Sequence, residues 1–201
     1  MSENTVRPQD PKERDRQAVA IDYESFYDSK AGYSLAKMSP QSYCADDRFD
    51  AYLVAICGWN IFGALTRAEP GPADGSYEWR SLDGSIRREL SDGRQLYIGR
   101  PENFDGWYLL KDRILIAHNA AFDSVVTDEL AMRGLIPSWL LGAEWKCTAD
   151  LCAYLMVPRN LKGAMKELYG KDLPGGRSTF TVRFEVKDVA ELDAIRNKLL
   201  N

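Results

Sequence analysis

A short apolar run, residues 18–21, ends in two acidic residues one position apart, Asp22 and Glu24. A run of this kind is typical of a buried strand, and strand side chains alternate between the two faces of a sheet. Asp22 and Glu24 are therefore expected to leave the same face, close together. Like charges at that spacing repel one another, and a divalent cation relieves the repulsion. The alternative is a strand end whose acids simply face water.

The composition limits the class of protein. The chain has 201 residues, of which 45% are hydrophobic, with five Trp, ten Tyr and seven Phe. This is enough for one domain with a substantial core. The net charge of -4 argues mildly against a nucleic-acid binder, although ions neutralise the acidic site of a metal-dependent nuclease. The four cysteines show no CxxC spacing, so we expect reduced thiols in a cytoplasmic protein and no zinc site. No apolar stretch is long enough to span a membrane.

Periodicity along the rest of the chain predicts alternating strands and helices. Strands are expected at residues 52–57, 113–117 and 144–147, with weak edge strands and turns between 58 and 100. Helices are expected at 101–110, 122–133, 148–157 and 161–169, with Thr148 and Asn160 as caps of the last two. In the tail, residues 180–186 alternate as a strand, and a capping box opens a helix over 188–200.

This order of elements indicates an α/β fold with a mixed β-sheet flanked by helices. We expect three parts along the chain: a polar, disordered leader over residues 1–16, one domain over 17–176, and a strand–helix segment over 177–201. A strand–helix unit of that size cannot fold alone, so it is expected to pack on the main sheet or on a partner.

A second acidic motif, Ile-Ala-His-Asn-Ala-Ala-Phe-Asp, covers residues 116–123, where a strand end meets a helix start. Ligand groups in α/β sheets often collect at such strand ends. Asp123 is a candidate third carboxylate for a metal site, and Asn119 is a candidate to bind substrate or to orient the loop. The alternative for Asp123 is a carboxylate in the first helical turn that complements the helix dipole.

Together these motifs resemble a known family. Asp22-x-Glu24, with residues 26–28 (Phe-Tyr-Asp), 33–35 (Tyr-Ser-Leu) and 47–50 (Asp-Arg-Phe-Asp), is similar to the first exonuclease motif of phage-type family A DNA polymerases. Residues 117–123 resemble the second motif. The resemblance covers about residues 17–176 and is to the proofreading 3′–5′ exonuclease domain of the four-acid (DEDD) superfamily, which has an RNase H-like fold.

The resemblance implies phosphodiester hydrolysis with two divalent cations, Mg²⁺ or Mn²⁺, held by Asp22, Glu24 and Asp123. It also implies a single-stranded DNA 3′ end as substrate, with Asn119 in contact with the strand near the terminal nucleotide.

Aromatic side chains near the two motifs are candidates for stacking on the bases of such a strand. They are Tyr23, Phe26 and Phe122. Aromatic rings bind single strands in this way because every base has a π-face. For each of the three, packing in the core is the alternative.

The family also has a fourth acid, preceded by a Tyr four residues earlier or a His five residues earlier that positions the attacking water. The single histidine, His118, lies inside the second motif, so the His version is excluded by counting. For the Tyr version the late candidate is Asp188, but Phe184 stands where the Tyr would be and lacks its hydroxyl. Asp188 is therefore a candidate catalytic acid, with a helix cap as its alternative role.

Three functions stay open from the sequence. The first is a metal-dependent 3′–5′ DNA exonuclease of the proofreading type. The second is a catalytically impaired exonuclease-like module, from a split or truncated polymerase gene, that binds single-stranded DNA or a DNA polymerase polypeptide. The third is an RNase of the same fold acting on short oligonucleotides. The resemblance further implies the cytoplasm of a phage-infected bacterial host.

Overall fold

The computed structural model describes residues 18–63, 69–70 and 76–170. Its strands are β1 (Ala18–Glu24), β2 (Leu53–Gly58), β3 (Glu69–Pro70), β4 (Tyr77–Arg80), β5 (Ile86–Glu89), β6 (Gln95–Gly99), β7 (Ile114–Ala117) and β8 (Trp145–Cys147). Its α-helices are α1 (Pro40–Cys44), α2 (Ala120–Met132), α3 (Thr148–Tyr154) and α4 (Leu161–Tyr169). The expected leader (1–16) and C-terminal strand and helix (177–201) lie outside the described residues.

The strands form one mixed sheet in the order β3-β4-β5-β6-β2-β1-β7-β8. β1 pairs antiparallel with β2 and parallel with β7, and β7 pairs parallel with β8. β3, β4, β5 and β6 pair antiparallel in chain order, and β6 also pairs antiparallel with β2. The predicted mixed α/β fold is confirmed, and the sheet with its flanking helices is compatible with an RNase H-like fold.

Strand β1 shows the alternation that its sequence predicts. Val19, Ile21 and Tyr23 point into the core, where they are 0%, 2% and 5% exposed. Asp22 and Glu24 leave the opposite face, and neither of them is buried. The apolar side chains fix the register of β1, because a shift by one residue would carry both carboxylates into the core.

Helix α2 lies beside this part of the sheet and contacts β1, β7 and β8. Its Val126 and Leu130 are 0% and 2% exposed in the core. The same buried face also carries two polar residues, Asp123 and Thr127. A polar group on a buried helix face requires a partner or a function. The helix ends just before Gly134, whose φ of 71° suits glycine.

Most predicted elements are confirmed to within a few residues, but the helix predicted at 101–110 is wrong. The chain there forms two short 3₁₀ turns, Pro101–Asn103 and Asp105–Leu110, separated by an extended Phe104. The indole N–H of Trp107 donates to the carbonyl of Pro101 at 2.9 Å, so a side chain takes the acceptor that an α-helix would use. A tertiary contact therefore overrides the helical spacing of the aromatic residues.

Two capping assignments differ from the prediction. Thr148 was expected to cap α3, yet it is the first residue of that helix and Cys147 holds the cap position. Helix α1 was not predicted, although Ser39 caps it by accepting from the N–H of Ser42 at 3.1 Å and Pro40 follows as its first residue. The expected cap at Asn160 is confirmed, since its side chain accepts from the N–H of Gly163 at 2.8 Å.

Expectations from composition can be compared with the described part of the chain. The cysteines at positions 44, 57, 147 and 152 are all free thiols. None of the described helices is long and apolar enough to cross a membrane.

Arg133, the residue after α2, connects this helix to the loop that follows α1. Its guanidinium donates to the carbonyl of Cys44 at 3.0 Å, pairs with Glu129 at 2.6 Å and lies over the ring of Phe49. These contacts join segments more than 80 residues apart in sequence, and hydrogen bonds to a charged group are stronger than neutral ones.

We predict that Arg133→Ala lowers the free energy of unfolding by about 1–3 kcal/mol, because it leaves partly buried carbonyls without a donor. The control is Arg94→Ala, which removes an ion pair with Asp92 in which both side chains are 49% exposed. We expect the control to cost about 0–1 kcal/mol. Urea unfolding of both variants measures the difference, and equal losses would contradict the assigned role of Arg133.

Candidate functional site

The parallel pairing of β1 and β7 brings the two acidic motifs together. The chain leaves β7 at Ala117 and enters α2 at Ala120, so the first turn of α2 returns to the end of β1. There the backbone N–H of Tyr23, between the two acids of β1, donates to Oδ1 of Asp123 at 3.3 Å. The predicted neighbourhood of Asp22, Glu24 and Asp123 is thus present in the described residues.

These carboxyl groups lie where a negative charge is poorly solvated. Asp123 is 4% exposed, and burial raises its pKa to about 7, with a further rise from the charge of Asp22. Burial also raises the pKa of Glu24, again with a contribution from Asp22. Although the side chain of Asp22 is open to solvent, desolvation at its carboxyl group raises its pKa, and His118 partly offsets the rise. The three groups therefore destabilise one another's ionised forms.

The chemistry of this group fits a divalent cation. Carboxylate oxygens are the ligands that Mg²⁺ and Mn²⁺ prefer, and an ion would offset the burial and the repulsion that raise these pKa values. As the side chains stand, however, no three His, Cys, Asp or Glu residues in the described part of the chain are close enough to hold one ion.

Asn119 occupies an unusual backbone conformation between β7 and α2. Its φ and ψ are 99° and 50°, in the left-handed region, and its side chain makes no capping hydrogen bond to the helix. A non-glycine residue in this region costs free energy and is common at functional sites. The side chain is thus not used to start α2, which keeps Asn119 a candidate for substrate contact.

A groove of about 350 Å³ opens beside Glu24. It is lined by Tyr23, Glu24, Ser25, Tyr27, Ser29, Ser34, Leu35, Tyr43 and Phe122. Tyr27 and Leu35 are 67% and 46% exposed at this groove. An apolar, aromatic-lined groove next to a group of carboxylates is the arrangement expected of a substrate site.

The three candidate stacking residues differ in their burial and in whether they line the groove. The ring of Tyr23 is buried in the core, the alternative role that the sequence named, and its hydroxyl lies 3.1 Å from that of Thr127, so its candidacy for stacking is wrong. Phe26 packs against the core and stacks on Tyr33, which is the alternative role that the sequence named. Phe122 is partly buried and lines the groove, so it stays a candidate.

Sequence reasoning missed Tyr27 and Leu35 as groove residues. A signal was present in the adjacent aromatic pair Phe26-Tyr27, because neighbouring residues in extended backbone face opposite ways. One ring then enters the core and the other faces solvent. Asp188 and Phe184, the predicted third motif, lie outside the described residues.

Comparisons with protein-family models, with curated proteins and with solved structures return no match for this chain.

We predict a pH-dependent cost of ionising Asp123. Its carboxyl has a pKa of about 7 in the folded chain against an ordinary value of 3.8, so its protonated form stabilises the fold below pH 4. That stability is lost between about pH 4 and pH 7, by up to about 1.4 kcal/mol per pH unit. Asp123→Asn keeps an oxygen acceptor for the N–H of Tyr23 but cannot ionise.

The measurement is urea unfolding of wild type and Asp123→Asn in EDTA from pH 4.5 to pH 7.5. The variant should become progressively more stable than wild type as the pH rises through this window. Parallel pH profiles for the two proteins would contradict the assigned environment of Asp123.

Proposed function

We propose that this protein is a metal-dependent 3′–5′ exonuclease of the proofreading type, which removes nucleotides from single-stranded DNA 3′ ends. The observation that carries the proposal is the meeting of Asp22 and Glu24, from β1, with the buried Asp123 of α2. Raised pKa values in a group of carboxyls mark a candidate functional site, and ionised carboxylates are the ligands that two-metal phosphodiester hydrolysis would use. The two motifs that carry these residues are also the ones that resemble the exonuclease domain.

The roles follow from position. Asp22, Glu24 and Asp123 would hold the cations, Mg²⁺ or Mn²⁺. When bound, such cations supply an activated water and stabilise the charge that develops on the leaving 3′ oxygen. The N–H of Tyr23 keeps Asp123 at the end of β1, and Asn119 would contact the strand near its terminal nucleotide.

The groove beside Glu24 supports a single-stranded substrate. Its exposed Tyr27 and its partly buried Phe122 offer ring faces on which bases can stack, whereas a base in a duplex is already stacked on its neighbours. Stacking does not depend on base identity, which suits an enzyme that removes any nucleotide. The proposed substrate is therefore an unpaired 3′ end, and a DNA polymerase polypeptide is the proposed source of such ends.

A second candidate function is favoured by one observation. The predicted fourth acid, Asp188, follows a Phe where the family has a Tyr. An exonuclease-like module with an incomplete site would bind single-stranded DNA or a polymerase partner without cutting it. An RNase of the same fold is the third candidate, and it differs from the first only in the sugar of the substrate.

We predict that wild type with Mn²⁺ shortens a 5′-labelled single-stranded DNA oligonucleotide to a ladder from its 3′ end. Asp22→Ala and Asp123→Ala should each reduce this degradation below detection, because each removes a ligand oxygen from the site. Asp188→Ala is expected to matter less than Asp22→Ala. The control is Asp92→Ala, which removes a carboxylate from the turn between β5 and β6, two strands away from β1.

The outcomes separate the candidates. Retained activity in Asp22→Ala or Asp123→Ala would overturn the site assignment. Bound but intact DNA with wild type would favour the binding module, and faster degradation of a matched RNA 3′ end would favour the RNase. An equal loss in Asp188→Ala and Asp22→Ala would make Asp188 the fourth ligand.

A second prediction concerns the groove. Tyr27→Ala should raise KM for the oligonucleotide about tenfold and change kcat little, because loss of one stacked base costs about 1–3 kcal/mol. The matched control is Tyr108→Ala, since Tyr108 is 68% exposed and Tyr27 is 67% exposed. Tyr108 does not line the groove. Equal effects of the two substitutions on KM would show that Tyr27 makes no specific contact.

A further inference from the structure

The ends of three adjacent parallel strands place three side chains in a row. Ala20 of β1 lies opposite Ile116 of β7, and Ala117 of β7 lies opposite Cys147 of β8. Continuing these registers places Asp22 beside His118, and His118 beside Thr148. This row crosses the sheet at the end where the acidic site is formed.

One nitrogen of the His118 ring is already held. Its Nδ1 lies 2.9 Å from Oγ1 of Thr148, the first residue of α3. The same hydroxyl lies 3.3 Å from the carbonyl oxygen of Ala117, which is the other acceptor within its reach. The predicted capping role of Thr148 is thus replaced by a contact with the histidine ring. The ring is anchored through one nitrogen only.

The other nitrogen, Nε2, is buried and has no hydrogen-bond partner within the described residues. A buried polar atom without a partner is unfavourable and requires an explanation, of which a role in a functional site is one. The neighbour of His118 in the row is Asp22, and the two side chains interact electrostatically. The unused nitrogen therefore belongs beside the acidic site and not in a separate part of the molecule.

We propose that His118 is a positioning residue for Asp22: Thr148 anchors the ring through Nδ1, and Nε2–H donates to the Asp22 carboxylate and fixes its orientation. A carboxylate only accepts hydrogen bonds, so Nε2 has to carry a proton. The hydroxyl of Thr148 has a single proton, so in a neutral ring the inference requires it to donate to Nδ1 at 2.9 Å instead of to the Ala117 carbonyl at 3.3 Å. The contact is not made as the side chains stand, because Nε2 has no partner among the described residues, so it requires a movement of the Asp22 side chain.

The inference rests on the proposed function, because Asp22 is the metal ligand that His118 would orient. Groups that orient ligands in this way typically change metal affinity by about 10–100-fold when they are removed. The contact differs from the water-positioning Tyr or His of the third motif, because His118 acts on a carboxylate and touches neither substrate nor water. It gives the one histidine of this chain a role within the second motif.

Two conservative substitutions separate the nitrogens. The amide of Asn reaches the place of Nδ1, so His118→Asn can keep the contact with Thr148 but has no group in the place of Nε2. The longer His118→Gln can place an amide N–H near the position of Nε2 but loses the anchor. We expect Mn²⁺ to bind about 10–100-fold more weakly to His118→Asn than to wild type and less than tenfold more weakly to His118→Gln.

The readout is Mn²⁺ binding by electron paramagnetic resonance, with Asp22→Ala as the reference for a lost ligand and thermal unfolding as the control for folding. The opposite order, with His118→Asn close to wild type and His118→Gln weak, would overturn the inference, because the ring would then serve only to hold Thr148. Wild-type affinity in both variants would overturn it as well.

The tautomer is a second, metal-free test. Because the chain contains a single histidine, ¹⁵N NMR of the ring reports His118 without further assignment. A protonated Nε2 supports the inference, and an unprotonated Nε2 overturns it.

Failure of the proposed function gives a different pattern. Wild type would then bind Mn²⁺ through Asp22 and lose affinity in His118→Asn, yet leave DNA intact. If wild type degrades DNA while His118→Asn keeps the wild-type Mn²⁺ affinity and the wild-type rate of DNA degradation, that result supports the proposed function and overturns the inference. If wild type binds no Mn²⁺, both are overturned.

Discussion

Burial of the carboxyl groups at the end of β1, together with their mutual repulsion, is the constraint on which the site depends. Asp22 and Glu24 share a face because the apolar residues between and before them fix the register of β1 in the sheet. Asp123 joins them because the parallel pairing of β1 and β7 returns the chain to this point at the start of α2. Each group raises the cost of ionising its neighbours, so the arrangement is unfavourable unless a positive charge is supplied.

The rest of the local structure holds the carboxylates in this unfavourable arrangement. The N–H of Tyr23 bonds Asp123, while the ring of Tyr23 is anchored in the core beside Thr127. Arg133, at the far end of α2, donates to the carbonyl of Cys44, the last residue of α1. Helix α1 also carries Tyr43, which lines the groove. Stability obtained from apolar packing of β1 and α2 thus offsets the cost of the charged site, as is common where function conflicts with stability.

The spacing of apolar and polar residues predicted the elements that depend on local sequence. The alternation in β1 predicted that Asp22 and Glu24 share a face, and the apolar run over 113–117 located β7. Features that depend on particular side-chain contacts were not predictable. The indole of Trp107 takes the carbonyl that a helix needs, and Thr148 bonds His118 and so leaves the capping position to Cys147. Burial of Tyr23 follows from the same alternation that exposes Asp22, and it could have been deduced.

The central claim is that Asp22, Glu24 and Asp123 bind divalent cations together. The most direct measurement is the crystal structure of the protein soaked in Mn²⁺, with anomalous diffraction recorded at the manganese edge. The account predicts anomalous peaks at the end of β1, within coordination distance of oxygens from Asp22 and Asp123. Manganese bound only elsewhere, or carboxylates that stay apart with no peak between them, would contradict it.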